Sequence, residues 1–145
     1  GYMFDNTFYG CSELQSIPEN LFAGIQGAPA DSMFSGTFYS TDITSIPENL
    51  FAGIQGAPAG SMFGSTFRNC YQLQSIPENL FAGISGPAAD YMFSYTFAYC
   101  RSLTGPSART NGQYLYEIWP NVHHMGTYTS ATGLSDHDQI PYGWK

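Results

Sequence analysis

Positive charge is nearly absent: four Lys and Arg stand against eleven Asp and Glu, a formal net charge of −7 over 145 residues. Four cations cannot line a phosphate backbone, which argues against nucleic acid as a partner. The same shortage argues against docking on anionic lipid. No apolar run approaches the roughly 18 residues of a membrane-spanning helix, so no membrane insertion is expected. Chemistry-bearing motifs are missing too. There is no HExxH, no P-loop, no nucleophile elbow and no pair of catalytic carboxylates. Cysteine is scarce, at three, and does not fix the redox compartment. An initiator Met and a basic or apolar leader are also lacking. The chain opens on Gly1-Tyr2-Met3-Phe4, partway through a repeat, and reads as part of a longer chain or assembly.

What the sequence has in excess is rings. Aromatics make up 17% of it, with 11 Tyr and 11 Phe, within an apolar share of 43%. They recur. Residues 17–30 read IPENLFAGIQGAPA, residues 46–59 repeat those letters, and a third copy begins IPENLFAG at Ile76. A second block precedes each: MFDNTFYGC at Met3, MFSGTFYST at Met33, MFGSTFRNC at Met62 and MFSYTFAYC at Met92. The Met-to-Met steps are 30, 29 and 30 residues. The short step has its cause between Thr41 and Ile46, where one residue is missing. A Thr-aromatic pair recurs at 7, 37, 66, 96 and 127, so the tail continues the pattern in decayed form. Periods of this length signal stacked repeats. Residues 1–104 are assigned to the repeats, and 105–145 to a degenerate repeat and C-terminal cap.

Within MFxxTFxxC, the spacing of Phe4, Phe8 and Cys11 is helical. Asp31-Ser32, Ser61 and Asp90 stand where they could cap a helical turn. Leu14 to Ile17 reads as a short strand ended by Pro18, which opens a second turn. Units stacked at about 4.8 Å would align side chains into ladders. The expected ladder residues are Phe8, Phe38, Phe67 and Phe97; Cys11, Cys70 and Cys100; Leu14 and Leu73; and Ile17, Ile46 and Ile76. The fold class expected is an α/β repeat solenoid of about five rungs, with short parallel strands and short helical turns. Its first rung would expose a core face.

The pattern F-x-x-C-x-x-L-x-S-I-P-x-x-L-F resembles the bacterial leucine-rich repeats of the BspA-like kind. Phe8, Cys11, Leu14, Ile17, Pro18, Leu21 and Phe22 carry it, with equivalents from Phe67 to Phe81. The variant resembled occurs in bacterial surface proteins and in phage or prophage tail-associated proteins. The likeness covers roughly residues 2–104. It implies a right-handed leucine-rich-repeat-like array and a binding role in surface attachment, with no catalytic residue. It departs where Thr41 replaces Cys and where residues 104–124 lose the IPENLF block.

Each chemically suggestive group also has a structural reading. The cysteines share one repeat position and read as buried thiols, although Cys70 and Cys100 lie on adjacent rungs where a disulfide could form. A single-file column does not surround a metal. Glu19, Glu48 and Glu78 form an acidic column that reads as a solvated edge, with weak cation binding as the alternative. His123, His124, Asp136, His137 and Asp138 are residue types that could ligate metal or move protons. They lack helical metal-ligand spacing and read as incidental, so no metal and no cofactor is expected. Tyr9 and Tyr39 follow core Phe residues and should lie toward the surface. Tyr114, Tyr116 and Trp119 interrupt the repeat and read as cap or contact surface. Tyrosine and tryptophan suit protein or glycan recognition.

The reading is a non-enzymatic binding or adhesion module. Its expected partner is a host or cell-surface protein or glycan, met outside the cell, at the cell surface or on a virion tail. The rivals are a structural spacer or tip domain of a fibre or tail, and an enzyme built on the His/Asp tail.

Overall fold

Each non-proline residue brings one backbone donor and one acceptor, and where these go defines the fold. The computed structural model describes residues 1–122 and 125–145; His123 and His124 lie outside the described residues. In the first MFxxTFxxC block the amides alternate between two destinations. Thr7, Tyr9 and Cys11 donate three residues back, to Phe4, Asn6 and Phe8, at 3.2, 3.2 and 3.1 Å. Phe4, Asn6, Phe8 and Gly10 donate instead to Met33, Ser35, Thr37 and Tyr39 of the next block, each at 2.8 Å. Phe34, Gly36, Phe38 and Ser40 then donate to Met62, Gly64, Thr66 and Arg68. Phe63, Ser65, Phe67 and Asn69 donate onward to Met92, Ser94, Thr96 and Ala98.

This alternation corrects the expected architecture. The chain is not an α/β repeat solenoid, and the right-handed leucine-rich-like array of strands and helical turns is absent from it. The described residues hold one α-helix, α1 (Leu115–Ile118), and one sheet, in which β1 (Arg109–Thr110) pairs antiparallel with β2 (Gln113–Tyr114). Elsewhere the repeats are runs of interlocked turns. A positive φ recurs every fourth residue: Asn6 and Gly10, Gly36 and Ser40, Ser65 and Asn69, Tyr95 and Tyr99. Such a ribbon puts two residues in and two out, and its period of four mimics helical spacing. Ser32 and Ser61, expected as caps, also hold positive φ, at 54° and 50°. The segment expected as a strand keeps sparse links, Thr44 to Gln15 and Gln74 to Thr44 among them. Among the described residues, parallel bridging is confined to Gly27 with Ile54 and Gly56 with Ile84. After each proline the bonds again reach three back, as from Leu50 to Pro47 and Ala52 to Asn49.

The inward residues build the core. Phe8, Phe38, Phe67 and Phe97 stack with centroids 5.5, 5.6 and 5.4 Å apart. Phe4, Phe34, Phe63 and Phe93 stack likewise, at 5.4, 5.5 and 5.8 Å. The rings of Phe22, Phe51 and Phe81 lean across the second column, with Phe51 4.8 Å from both Phe34 and Phe63. Parallel within a column and tilted between columns is the arrangement that aromatic quadrupoles favour. Leu73, Ile46 and Ile76 are buried, as is Ile43, which the shortened second repeat supplies where Leu14 and Leu73 stand. Phe8 and Leu14, in the first repeat, are half-buried.

Hydroxyls and thiols tie the layers together. Thr37 Oγ1 lies 2.7 Å from the carbonyls of both Phe4 and Phe34, and Thr66 repeats the contact with Phe34 and Phe63. Cys70 and Cys100 donate to Phe38 and Phe67 at 3.1 and 3.0 Å. Both are free thiols, which removes the expected option of a disulfide, and Cys11 is exposed rather than buried. Burial pushes the Cys70 thiol up to about 11, and Cys100 is raised by the same cause. Close approach explains one glycine column: a Cβ on Gly53 or Gly83 would overlap the carbonyl oxygen of Ile25 or Ile54.

The tail adds one more layer of the same kind, with Tyr95, Phe97 and Tyr99 donating to Met125, Thr127 and Thr129, and then closes the stack by other means. Asn111 and Gly112, at φ 49° and 80°, form the two-residue turn between β1 and β2. That hairpin docks on the third IPEN turn: Asn111 N–H donates to Asn79 Oδ1 at 2.7 Å and Gly112 N–H to Glu78 Oε1 at 3.0 Å. Two short 3-10 turns, His137–Gln139 and Tyr142–Trp144, finish the chain. Trp144 is fully buried, and Tyr128 donates its N–H to the Trp144 carbonyl. No helix among the described residues is long and apolar enough to cross a membrane.

Candidate binding face

Because the turns send every second pair of side chains outward, the MFxxTFxxC blocks carry an outer face of aligned columns. One column runs Tyr9, Tyr39, Arg68, Ala98. Tyr9 and Tyr39 stack with centroids 4.5 Å apart and planes 13° apart. Tyr9 is 55% exposed and Tyr39 half-buried. Asn69 Nδ2 donates to the Tyr39 hydroxyl at 3.3 Å, which holds that ring in place. In the fourth block the column holds small, buried Ala98, and the rings come from its neighbours. Tyr95 and Tyr99 flank it, and the Arg68 guanidinium lies 4.9 and 5.5 Å from their centres. It lies 5.7 Å from Tyr39, so the strip of rings is continuous through the arginine.

These later tyrosines occupy backbone that disfavours them. Tyr91, Tyr95 and Tyr99 have φ of 57°, 55° and 62°; at the last two positions the other blocks use Gly, Ser or Asn, while at the first Tyr2 and two serines share the conformation. A large side chain in this region costs roughly 1–2 kcal/mol. Part of that is returned where Tyr95 lies over Gly126, which has no Cβ to meet the ring. Tyr91 makes no comparable stack and is 61% exposed.

The other expected contact residues fall elsewhere. Tyr116 is buried, and its hydroxyl donates to Asp136 Oδ2 at 2.9 Å. Desolvation, then that hydrogen bond and the Asp136 charge, push its phenol well above the ordinary range. Trp119 is buried against Phe93 and donates Nε1–H to the Gly86 carbonyl at 2.9 Å. Tyr114 is half-buried and stacks on Tyr116 at 5.1 Å. Thus Tyr9 and Tyr39 are brought together on an open surface, whereas Tyr116 and Trp119 are cap interior. Arg68 stands where the first two blocks have Tyr9 and Tyr39, and Tyr95 and Tyr99 were not among the expected contact residues; their spacing around Ala98 was the available signal.

Among the described residues, the titratable tail does not converge. Asp136 is buried and accepts from the Ser107 N–H, the Ser107 hydroxyl and Tyr116, at 2.8, 2.6 and 2.9 Å. His137 Nδ1 instead faces exposed Asp138 at 3.6 Å. In the acidic column, Glu78 is engaged by the hairpin and by Arg109 at 3.5 Å, while Glu19 and Glu48 border open polar grooves. No three His, Cys, Asp or Glu among the described residues are grouped as metal ligands.

Comparison with protein-family models, with curated proteins and with solved structures returns no match.

Proposed function

We propose that the chain is a non-enzymatic binding module that recognises a protein or glycan at a cell surface through the outer face of its turn blocks. The observation that carries this reading is the strip formed by Tyr9, Tyr39, Arg68, Tyr95 and Tyr99. It keeps large rings in solvent, and two of them sit on backbone that favours smaller residues. Rings of this kind supply contact area at low entropic cost. The BspA-like resemblance of the repeat letters points to the same surroundings: outside the cell, on its surface or on a virion tail.

A second reading is a spacer or tip domain of a fibre or tail with no ligand of its own. It is favoured by the wholly polar surface at Gln15-Ser16, Thr44-Ser45 and Gln74-Ser75, all exposed. Labelled protein applied to whole cells and to a glycan array separates the two. Recognition predicts binding that a Tyr9→Ser, Tyr39→Ser double variant loses while its melting transition is retained. Absence of binding to every cell and glycan would leave the spacer.

A further inference from the structure

Arg68 is an isolated positive charge set among rings. The chain carries eleven carboxylates, yet none pairs with Arg68 among the described residues. No guanidinium nitrogen has a hydrogen-bond partner among the described residues either. Nε is shut off from solvent without a partner, in a side chain that is half-buried as a whole. A guanidinium held between three tyrosines is thereby oriented but not neutralised. Its planar fork matches a carboxylate or sulfate, and weak hydration makes it effective at a partly desolvated site. The surroundings also narrow the class of ligand. Half-buried Ser40, Ser65 and Asn69 lie between the ring positions, so flat aromatic faces alternate with small polar groups. That mixture suits a ligand alternating C–H faces with hydroxyls.

We propose that Arg68, with Tyr39 and Tyr95 beside it, is the anchoring subsite for an acidic saccharide. The sugar's carboxylate or sulfate sits on the guanidinium, and its apolar ring face lies against tyrosine. The proposal rests on the recognition reading above and adds the charge of the ligand to it.

The test is an array of neutral, carboxylated and sulfated oligosaccharides probed with the full chain. Arg68→Gln, Arg68→Lys and the Tyr9→Ser, Tyr39→Ser double variant are run beside it, each with a melting curve. The expected result is binding to carboxylated or sulfated glycans that weakens with salt and falls about tenfold or more in Arg68→Gln. The two acidic arms identify which anion is taken. Should Arg68→Gln fail to fold, Arg68→Lys decides: a severalfold loss supports the subsite, and unchanged binding overturns it. Binding confined to neutral glycans and dependent on Tyr9 and Tyr39 would overturn the acidic subsite and leave the recognition face standing. No binding to any glycan or cell would overturn both.

Discussion

The turn blocks and the tail solve the same problem in opposite ways. Between Met3 and Leu103 successive layers are held by copies of one device: stacked phenylalanines with Thr hydroxyls aimed at phenylalanine carbonyls, joined from the third block on by Cys thiols. Beyond Gly105 that device survives in one layer, where Thr127 Oγ1 donates to the Phe93 carbonyl and Tyr128 stacks on Phe97, and the rest of the tail relies on single contacts. A hairpin sits on Glu78 and Asn79, Trp119 reaches Gly86, and buried Asp136 gathers Ser107 and Tyr116. Repetition distributes stability over many similar contacts and leaves outward positions free to vary. The tail relies more on single hydrogen bonds, and Tyr116, Trp119, Tyr128 and Trp144 are buried in doing so, while Tyr142 stays exposed.

Removing a core ring tests the repeated device most severely. Phe67→Ala opens a cavity between Phe38 and Phe97 and is expected to cost about 3–5 kcal/mol in urea unfolding. In the tail, Asp136→Ala strands the Ser107 and Tyr116 donors inside the protein and should cost about 3 kcal/mol. Both tryptophans lie in the tail, so the Asp136 loss should appear first in tryptophan fluorescence. Coincident shifts in fluorescence and circular dichroism would instead mean that tail and blocks unfold together. Thr66→Val keeps the shape and removes one shared hydroxyl, for a smaller loss of about 1–2 kcal/mol.

The thiols supply a pH test. Cys70 holds its proton more tightly folded than unfolded, with a value raised from 9.0 to about 11. Its contribution is therefore complete below about pH 9 and is lost as pH climbs toward 11, which unfolding midpoints across that window would register. At pH 8 a thiol reagent should modify exposed Cys11 at once, and Cys70 and Cys100 only on unfolding. The smallest expected effect is a gain. Tyr91→Asn relieves a positive φ with no ring contact to lose and should stabilise by about 0.5–1 kcal/mol.

The sequence made part of this legible. The period, the phenylalanine columns and the outward placement of Tyr9 and Tyr39 follow from letters repeated at fixed steps. The form of the blocks did not follow, because a ribbon of turns with a period of four places Phe4, Phe8 and Cys11 as a helix would. Ile43 was hidden by the deleted residue beside it. Asn111-Gly112 was a readable hairpin signal, with both residues suited to positive φ. Asp136 was not readable, since its partners lie 20 and 29 residues away in a segment that occurs once. Tyr116 and Trp119 look on paper like any exposed aromatic pair; burial comes from the closure of the tail over Phe93 and Trp144.

The account stands on the alternation of amide partners, because that is what turns Tyr9, Tyr39, Tyr95 and Tyr99 outward. Scalar couplings transmitted across hydrogen bonds in a labelled sample test it directly. They should link the Phe38 nitrogen to the Thr66 carbonyl and the Phe67 nitrogen to the Thr96 carbonyl, across 2.9 Å bonds. Couplings from those nitrogens to carbonyls four residues earlier would mean helices and would contradict it.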